Sequence, residues 1–550
     1  MIQHLRDQIL AKCRLLLSEI NRDIASSLRG CFDRRYWAWK LIDFPEATFQ
    51  RNLYPLSWYT LQPEAVLFQN EITGAVIAGL LYTTRIQHKN GSFDQAYPFE
   101  QSYGAAGFLL PDLLAAYKNV RGNCDLKEKE VIETCLRKTA DFLASKAELH
   151  GYISNHLAGA ALGLLNAGLF FKEERYSEKA NQIINNIIKH QSSEGWYPEY
   201  GGADPGYQTL CTHYMAQFYQ NAPVEILKTS LEKSIEFLKY FIHADGSFGG
   251  EYGSRRTEIY YPGGIAILAN TIPDAAAMHE FMLAAIESGA TVTLNDIDMG
   301  NTAPLLSSSI LSFIASTSNP DSTILPCEKE TVSTFFPKAG LGIWGTKNYY
   351  AVAGASTGGV LKVFDKKNKR AILDDCGILG KTKNGKLFTT QITNLGNFFE
   401  KEASGFQMHS QFQNSSTPAP TPFLFLGLRV LNLTLMRLPF FNEWIKKLMV
   451  KRLIKSNSPL PMQRKRIILF SENLIEISDQ ITSQKKILLK ALFSGGKFAS
   501  IHMASARYFN QSQKDTESRI TLDVSSFNES QDLKYTRKIQ FDEDGGRLKP

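Results

Sequence analysis

Gly151-Tyr-Ile-Ser-Asn-His156 opens, and Glu194-Gly-Trp-Tyr-Pro-Glu-Tyr-Gly-Gly-Ala-Asp-Pro-Gly-Tyr207 closes, the stretch on which the reading of this chain turns. Each end gathers polar, aromatic and glycine residues, and the segments between carry apolar residues at helical spacing, Ile183, Ile184, Ile187 and Ile188 among them. Two helices between two such turns bring the chain back to the side it left. Both turns then face one cleft.

Working outward, the turn recurs as Asn90-Gly91-Ser92-Phe93, His150-Gly151-Tyr152, Glu194-Gly195-Trp196 and Asp245-Gly246-Ser247-Phe248. Successive turns leave room for two helices, and Val131, Cys135, Thr139, Phe142 and Leu143 fit one helical face. Repeated hairpins with similar turns make an open solenoid or a closed ring. The long glycine-rich and aromatic loops suit the ring, an α/α toroid expected over residues 61–320. Ile9, Leu10, Cys13, Leu16, Leu17 and Ile20 predict an amphipathic helix, so 1–60 reads as a helical segment packed on that toroid. Arg34, Arg35, Tyr36, Trp37, Trp39 and Lys40 either pack the first helix or offer aromatic faces to a sugar.

After about residue 325 the pattern changes to short β-favouring runs, including Tyr349-Tyr-Ala-Val-Ala-Gly, Gly359-Val-Leu-Lys-Val-Phe and Leu474-Ile-Glu-Ile-Ser-Asp. Strands without intervening helices predict an antiparallel β-sandwich over 330–550, with the boundary near 317–332. A basic, apolar insertion interrupts it at 414–466. Proline-rich sequence leads into Phe423 to Phe441, where Arg429, Arg437 and Pro439 argue against a membrane span. Lys446, Lys447, Lys451, Arg452, Lys455, Arg464, Lys465 and Arg466 follow with no acidic residue between them. The insertion reads as an ordinary helical element or as a contact of 423–466 with an anionic membrane surface or polymer.

At 550 residues the chain exceeds a single core, and 43% hydrophobic with 21% charged residues describes a packed protein, not a disordered or multi-span one. The net charge of +7 suits an anionic partner where the basic groups gather. Cysteines 13, 31, 124, 135, 211, 327 and 376 show neither a disulfide framework nor zinc-ligand spacing. Residues 1–30 are too interrupted by charge for a signal peptide, which gives a cytoplasmic expectation, with membrane association through the insertion. Gly201-Gly-Ala-Asp-Pro-Gly206 lacks the strand-turn-helix setting of a dinucleotide site, and no cofactor or nucleic-acid partner is expected.

A toroid, an Asn-His pair opening one turn, a glycine-rich loop ending in tyrosine about fifty residues later and a C-terminal sandwich resemble the heparinase II/III-type polysaccharide lyases. Alginate and oligoalginate lyases share that architecture. The resemblance implies β-elimination on an anionic, uronate-containing polysaccharide or oligosaccharide. By position, Asn155 would neutralise the uronate carboxylate, His156 would act on the C5 proton and Tyr207 would protonate the leaving oxygen. Family members often carry a histidine-rich motif where this chain has Gly354-Ala-Ser-Thr-Gly-Gly, and His409 is the only histidine between 280 and 501, so no multi-histidine metal site is expected.

The residue types suit that chemistry. An asparagine amide or a guanidinium from Arg255 or Arg256 can take up the charge that develops on a carboxylate. Imidazole, with a reference pKa of about 6.5, can serve as base near neutrality. Glu199, Tyr200, Trp196 and Tyr261 complete the expected substrate-binding set. Each also has a structural reading: Asn155 as a helix cap, His156 as a satisfied structural histidine, the arginines as solvated surface. Two other functions stay open, a toroid glycoside hydrolase using Glu199 and Glu251 as a carboxylate pair, and a non-catalytic glycan-binding protein of polysaccharide assembly.

Overall fold

A computed structural model describes residues 1–148, 151–316, 323–394, 396–415, 421–438, 441–445, 459–496, 504–509 and 519–549. The readings at His150, at 317–322 of the boundary, at 416–420 of the proline-rich stretch, and at Lys446, Lys447, Lys451, Arg452 and Lys455 lie outside the described residues.

The first half is helical: α1 (Ile2–Glu19), α2 (Arg34–Trp37), α3 (Leu53–Tyr59), α4 (Gln69–Ile86), α5 (Tyr103–Val120), α6 (Leu126–Ser145) and α7 (Ser154–Phe171). There follow α8 (Glu174–His190), α9 (Pro205–Asn221), α10 (Glu225–Leu238), α11 (Pro262–Leu268), α12 (Pro273–Ser288) and α13 (Met299–Ala315). Helices α3, α5, α7, α9, α11 and α13 pack each on the next, and α13 packs back on α3, so the inner ring closes. Around it lie α4, α6, α8, α10, α12 and α1. The α/α toroid is therefore the fold, and the open solenoid is excluded.

Residues 1–60 are not a segment added to the toroid. They supply α1 and α3, the helices that close it, because the apolar stripe of α1 (Leu5, Ile9, Cys13, Leu16) fills the gap beside α12 and α13. Trp37 spends its indole N–H on the carbonyl of Glu19 at 2.8 Å, which ties α2 to α1, while Trp39 stays exposed.

Composition decides which helix goes inside. Helix α7 is rich in small residues and buried nearly all round, so α5 and α9 can approach it from both sides. Helix α8 buries one stripe, Tyr176, Ala180, Ile183, Ile184 and Ile187, and faces outward with the rest. The stripe of α6 is Ile132, Cys135, Leu136, Thr139, Phe142 and Leu143, displaced by one residue from expectation because Val131 points to solvent.

The repeated turns share one construction. Gly91, Gly195 and Gly246 take φ of +89°, +98° and +86°, and each donates its N–H to the residue three before it. A Cβ at Gly91 or Gly195 would strike a carbonyl oxygen of the adjacent outer helix, Lys138 or Lys233. Gln87 and Gln191 reach across to the same helices, donating to the carbonyls of Cys135 and Ser230 at 2.9 Å each. An outer helix returns between each pair of inner ones, so the inner helices run parallel and begin at one end of the ring.

The second half holds two antiparallel sheets. The first is a meander of β1 (Val332–Phe336), β2 (Leu341–Gly345), β3 (Tyr349–Gly354), β4 (Val360–Asp365) and β5 (Arg370–Asp375). The second contains β6 (Ile378–Thr382), β7 (Leu387–Thr389), β8 (Phe399–Glu402), β9 (Gly405–Asn414), β10 (Pro459–Phe470), β11 (Leu474–Ser483), β12 (Leu489–Gly495), β13 (Arg519–Leu522), β14 (Asp532–Asp542) and β15 (Gly545–Lys549). Its order is β13-β12-β6-β7-β9-β10-β11-β14-β15, with β8 on β9. Strand alternation lets the first sheet serve two cores. Tyr349, Ala351 and Ala353 face Phe406, Met408, Ile468 and Ile477 of the second sheet, whereas Tyr350 and Val352 join the toroid core.

The basic run at 464–466 is not surface. Strand β10 begins at Pro459, so the insertion ends before it, and a period of two turns Arg464 and Arg466 inward while Lys465 looks out. Both arginines donate to Asp479 Oδ1, at 2.9 and 2.8 Å, and Arg466 and Arg537 share Asp375. Through Nη1, Arg464 and Arg466 also donate to the carbonyls of Gly358 and Gly359, at 3.3 and 2.7 Å, holding the β3–β4 turn where a histidine motif was sought.

Removing one partner of a fully buried ion cluster costs about 3–5 kcal/mol. Asp479→Asn is expected to lower the unfolding free energy by that amount in urea titration, and Lys465→Ala to change it by less than about 0.5 kcal/mol.

Candidate active site

The loop preceding α7 is stitched to the loop preceding α9. Ser154 donates its hydroxyl to the carbonyl of Pro198 at 2.7 Å, and Ile153 bridges Glu199. Asn155 does not cap its helix, whose N-cap is Ile153. Instead its backbone N–H and its side-chain Nδ2 both donate to Glu199, at 2.9 and 2.7 Å. Asn155 and Glu199 are fully buried, and Asn155 Oδ1 has no hydrogen-bond partner among the described residues. Burial pushes the Glu199 carboxyl well above the usual range, against the pull of the two Asn155 donors.

His156 sits one residue on. Its Nδ1 is 2.8 Å from Glu148 Oε2, its Nε2 is 3.4 Å from the Tyr200 hydroxyl, and its ring meets the Phe108 ring edge to face. Gly104 of α5 lies against it, and a Cβ there would stand 2.7 Å from His156 Nδ1. The guanidinium of Arg255 stacks on the Tyr200 ring at 3.8 Å, and Tyr200 meets Tyr207 with ring centroids 6.1 Å apart. Burial moves the Tyr200 phenol up to about 12 and raises Tyr207 further, Arg255 opposing both. Both phenols carry their protons at neutral pH.

Asp204 sets the position of Tyr207 and Arg255 together. It caps α9 by accepting the Tyr207 N–H at 3.0 Å, and its other oxygen accepts the Arg255 N–H at 2.8 Å. Burial raises this carboxyl to about 6, against those backbone donors.

Asn155, His156, Tyr200, Tyr207 and Arg255 thus come together where α7 and α9 begin. The other expected residues lie elsewhere. Trp196 donates to Glu194, which itself accepts the backbone N–H groups of Lys338 and Ala339, so this pair joins the toroid to the first sheet. Arg256 turns away to the carbonyl of Gln391, with burial lowering it to about 10. Tyr261 is fully buried beneath the site. Glu199 is buried too, and both of its carboxylate oxygens accept from Asn155.

Sequence reasoning missed the layer under these residues. Arg51 donates to Asp112 at 2.7 Å and to the Tyr214 hydroxyl at 2.9 Å, and it lies over Phe108. Tyr214 stands two helical turns beyond Tyr207 on α9, a spacing that was readable; Arg51 had no local signal. His213, also buried, is held neutral with its pKa lowered to about 3 by burial and by Arg51.

Among the described residues, Glu251, Asp374 and Cys376 bring potential metal ligands within 4.8 Å of one another. The Lys362 ammonium already meets that charge, 2.6 Å from Glu251 and 3.5 Å from Asp374.

Residues 68–265 match the family model of the ulvan lyase N-terminal domain, a span that runs to α11 and holds every expected site residue. No curated protein sequence matches the chain. Among solved structures, the chondroitin AC lyase of Streptomyces coelicolor A3, in complex with chondroitin sulphate, aligns over 90% of this chain and 68% of its own, with a TM-score of 0.56 at 9% identity. A Paenibacillus xanthan lyase aligns over 90% of this chain and 47% of its own, with a TM-score of 0.54 at 10% identity. The chain has the fold of these polysaccharide lyases.

Folding keeps a proton off His213 that the unfolded chain binds below about pH 6.5. Its contribution to stability is complete above that pH and is lost as pH falls from there towards about 3. His213→Gln is expected to flatten the acid decline of the melting temperature between pH 6.5 and 4, measured beside the parent.

Proposed function

We propose that the chain is a polysaccharide lyase that cleaves an anionic, uronate-containing polysaccharide by β-elimination. The observation that carries this reading is the convergence of Asn155, His156, Tyr200, Tyr207 and Arg255 at the end of the ring where the inner helices begin. Parallel helix N-termini carry positive partial charge, which favours an anionic group there.

Elimination removes the proton beside the uronate carboxylate, forms a C4–C5 double bond and expels the glycosidic oxygen. Arg255 and Asn155 take up the carboxylate charge that develops. His156, oriented through Nδ1 by Glu148, is the base, and the protonated phenol of Tyr207 is the acid. Burial favours the uncharged form of Glu199. A half-turn of the Asn155 amide then lets Glu199 Oε2–H donate to Oδ1, which gives that oxygen a donor and turns the amide N–H groups away from Glu199.

The hydrolase reading needs two carboxylates flanking one bond. Glu199 is instead buried on Asn155, and Glu251 is paired with Lys362.

Turnover of a panel of polyuronates, followed by the ultraviolet absorbance of the new conjugated double bond, tests the proposal. Tyr207→Phe and His156→Ala are each expected to lose roughly a hundredfold to ten-thousandfold in kcat. Glu199→Gln, whose amide can still donate to Asn155 Oδ1, is expected to keep most of the turnover, and Glu199→Ala to lose it. Inactivity of Glu199→Gln in a protein that melts normally would assign the carboxylate itself to catalysis and favour hydrolysis. Absence of any turnover by the parent would favour a binding role in polysaccharide assembly.

A further inference from the structure

The insertion between β9 and β10 contains a helix, Pro422–Leu433, that is apolar on two sides. One side is used inside the protein. Leu428 and Leu431 pack with Tyr97, Met436 and Ile445 over the loop that precedes α5, and Asn442 donates to the carbonyl of Phe99. Arg429 fixes the helix further by pairing with Asp43 at 2.7 Å and lying over Phe44.

Among the described residues, the other side has no such use. Phe423, Leu426, Val430 and Leu433 recur at steps of three and four, which places them on one helical face, and they are 85%, 63%, 54% and 60% exposed. Leu41, 89% exposed, lies beside Phe425 and Leu426 across a shallow groove, and Trp444 is also open to solvent. Single exposed apolar residues are ordinary, but a contiguous apolar strip on a helix already anchored through its opposite face marks a contact surface.

Charge identifies what the surface fits. From 421 to 458 the sequence holds basic residues at 429, 437, 446, 447, 451, 452 and 455 and a single acidic one, Glu443. A sequence in which an apolar helical face is followed by a basic run matches the boundary between acyl chains and anionic headgroups. Length excludes a crossing. Twelve helical residues extend about 18 Å, against a hydrocarbon core of about 30 Å. We propose that the outer face of the helix 422–433, with Leu41, docks the protein on the surface of a membrane that carries anionic lipid, the helix lying in the plane of the interface.

The test is cosedimentation of the full chain with phosphatidylcholine vesicles and with phosphatidylcholine–phosphatidylserine vesicles, at low and high salt. The parent is expected to bind the mixed vesicles, and salt to weaken that binding. The triple variant Phe423→Ser, Leu426→Ser, Val430→Ser is expected to lose on the order of tenfold or more in partitioning. Its melting temperature should hold, because the side chains changed are exposed. Failure of the parent to bind the mixed vesicles would overturn the proposal. Equal binding by the parent and a normally melting triple variant would do so as well. So would a parent dimer that the triple variant converts to monomer without lipid binding by either, since a second copy would then cover the face.

Discussion

One buried carboxylate keeps the parts of the site in register. Asp204 accepts the N–H of Tyr207 at the start of α9 and the N–H of Arg255 on a later loop, so residues far apart in sequence share one acceptor. Ser254, next to Arg255, donates its hydroxyl to the carbonyl of Glu199 at 2.7 Å, and Glu199 in turn holds Asn155. Asn155, Glu199, Arg255 and Tyr207 are therefore one hydrogen-bonded unit. Such a unit is costly to leave half satisfied in a low-dielectric interior, which gives it a single arrangement.

The ring makes that unit available to a ligand. Because an outer helix intervenes between successive inner ones, α7 and α9 start at the same end, and their first residues meet. The first sheet then sits against that end. Tyr350 donates to the carbonyl of Tyr240 at 2.6 Å and His243 stacks on Phe364 at 4.2 Å, while Thr393, on the loop after β7 of the second sheet, donates to the carbonyl of Ser254. The central strands of that sheet are buried on both faces, packed on the second sheet on one side and on the toroid on the other. The sandwich therefore supports the site without supplying the five residues that converge there.

Much of this was legible in the sequence where the signal is local. Turn glycines, helical stripes and the change to alternating strands gave the toroid and the sandwich, and Asn155, His156, Tyr200, Tyr207 and Arg255 stood in conspicuous loops. What was not legible depends on burial. Nothing near Glu199 in sequence marks it as the partner of Asn155, and nothing near Arg464 and Arg466 distinguishes a buried pair from the lysines before them except a strand period that the basic run obscured. The first sixty residues were misplaced for a similar reason. An amphipathic helix announces that it packs, but not that its neighbour is the last helix of the ring. Trp196 and Arg256 were assigned to a ligand because they share loops with residues that converge; their side chains point to the sheet junction instead.

The central claim is the reaction type, and the isotope content of the products addresses it most directly. A polyuronate that the protein degrades would be digested in water enriched in heavy oxygen, and the new chain ends weighed by mass spectrometry. Elimination forms an unsaturated end by loss of a proton and a leaving oxygen, so the account predicts unsaturated ends and no heavy oxygen introduced by the cleavage, after correction for exchange at reducing ends. Saturated ends, with one heavy oxygen gained at each broken linkage, would contradict it.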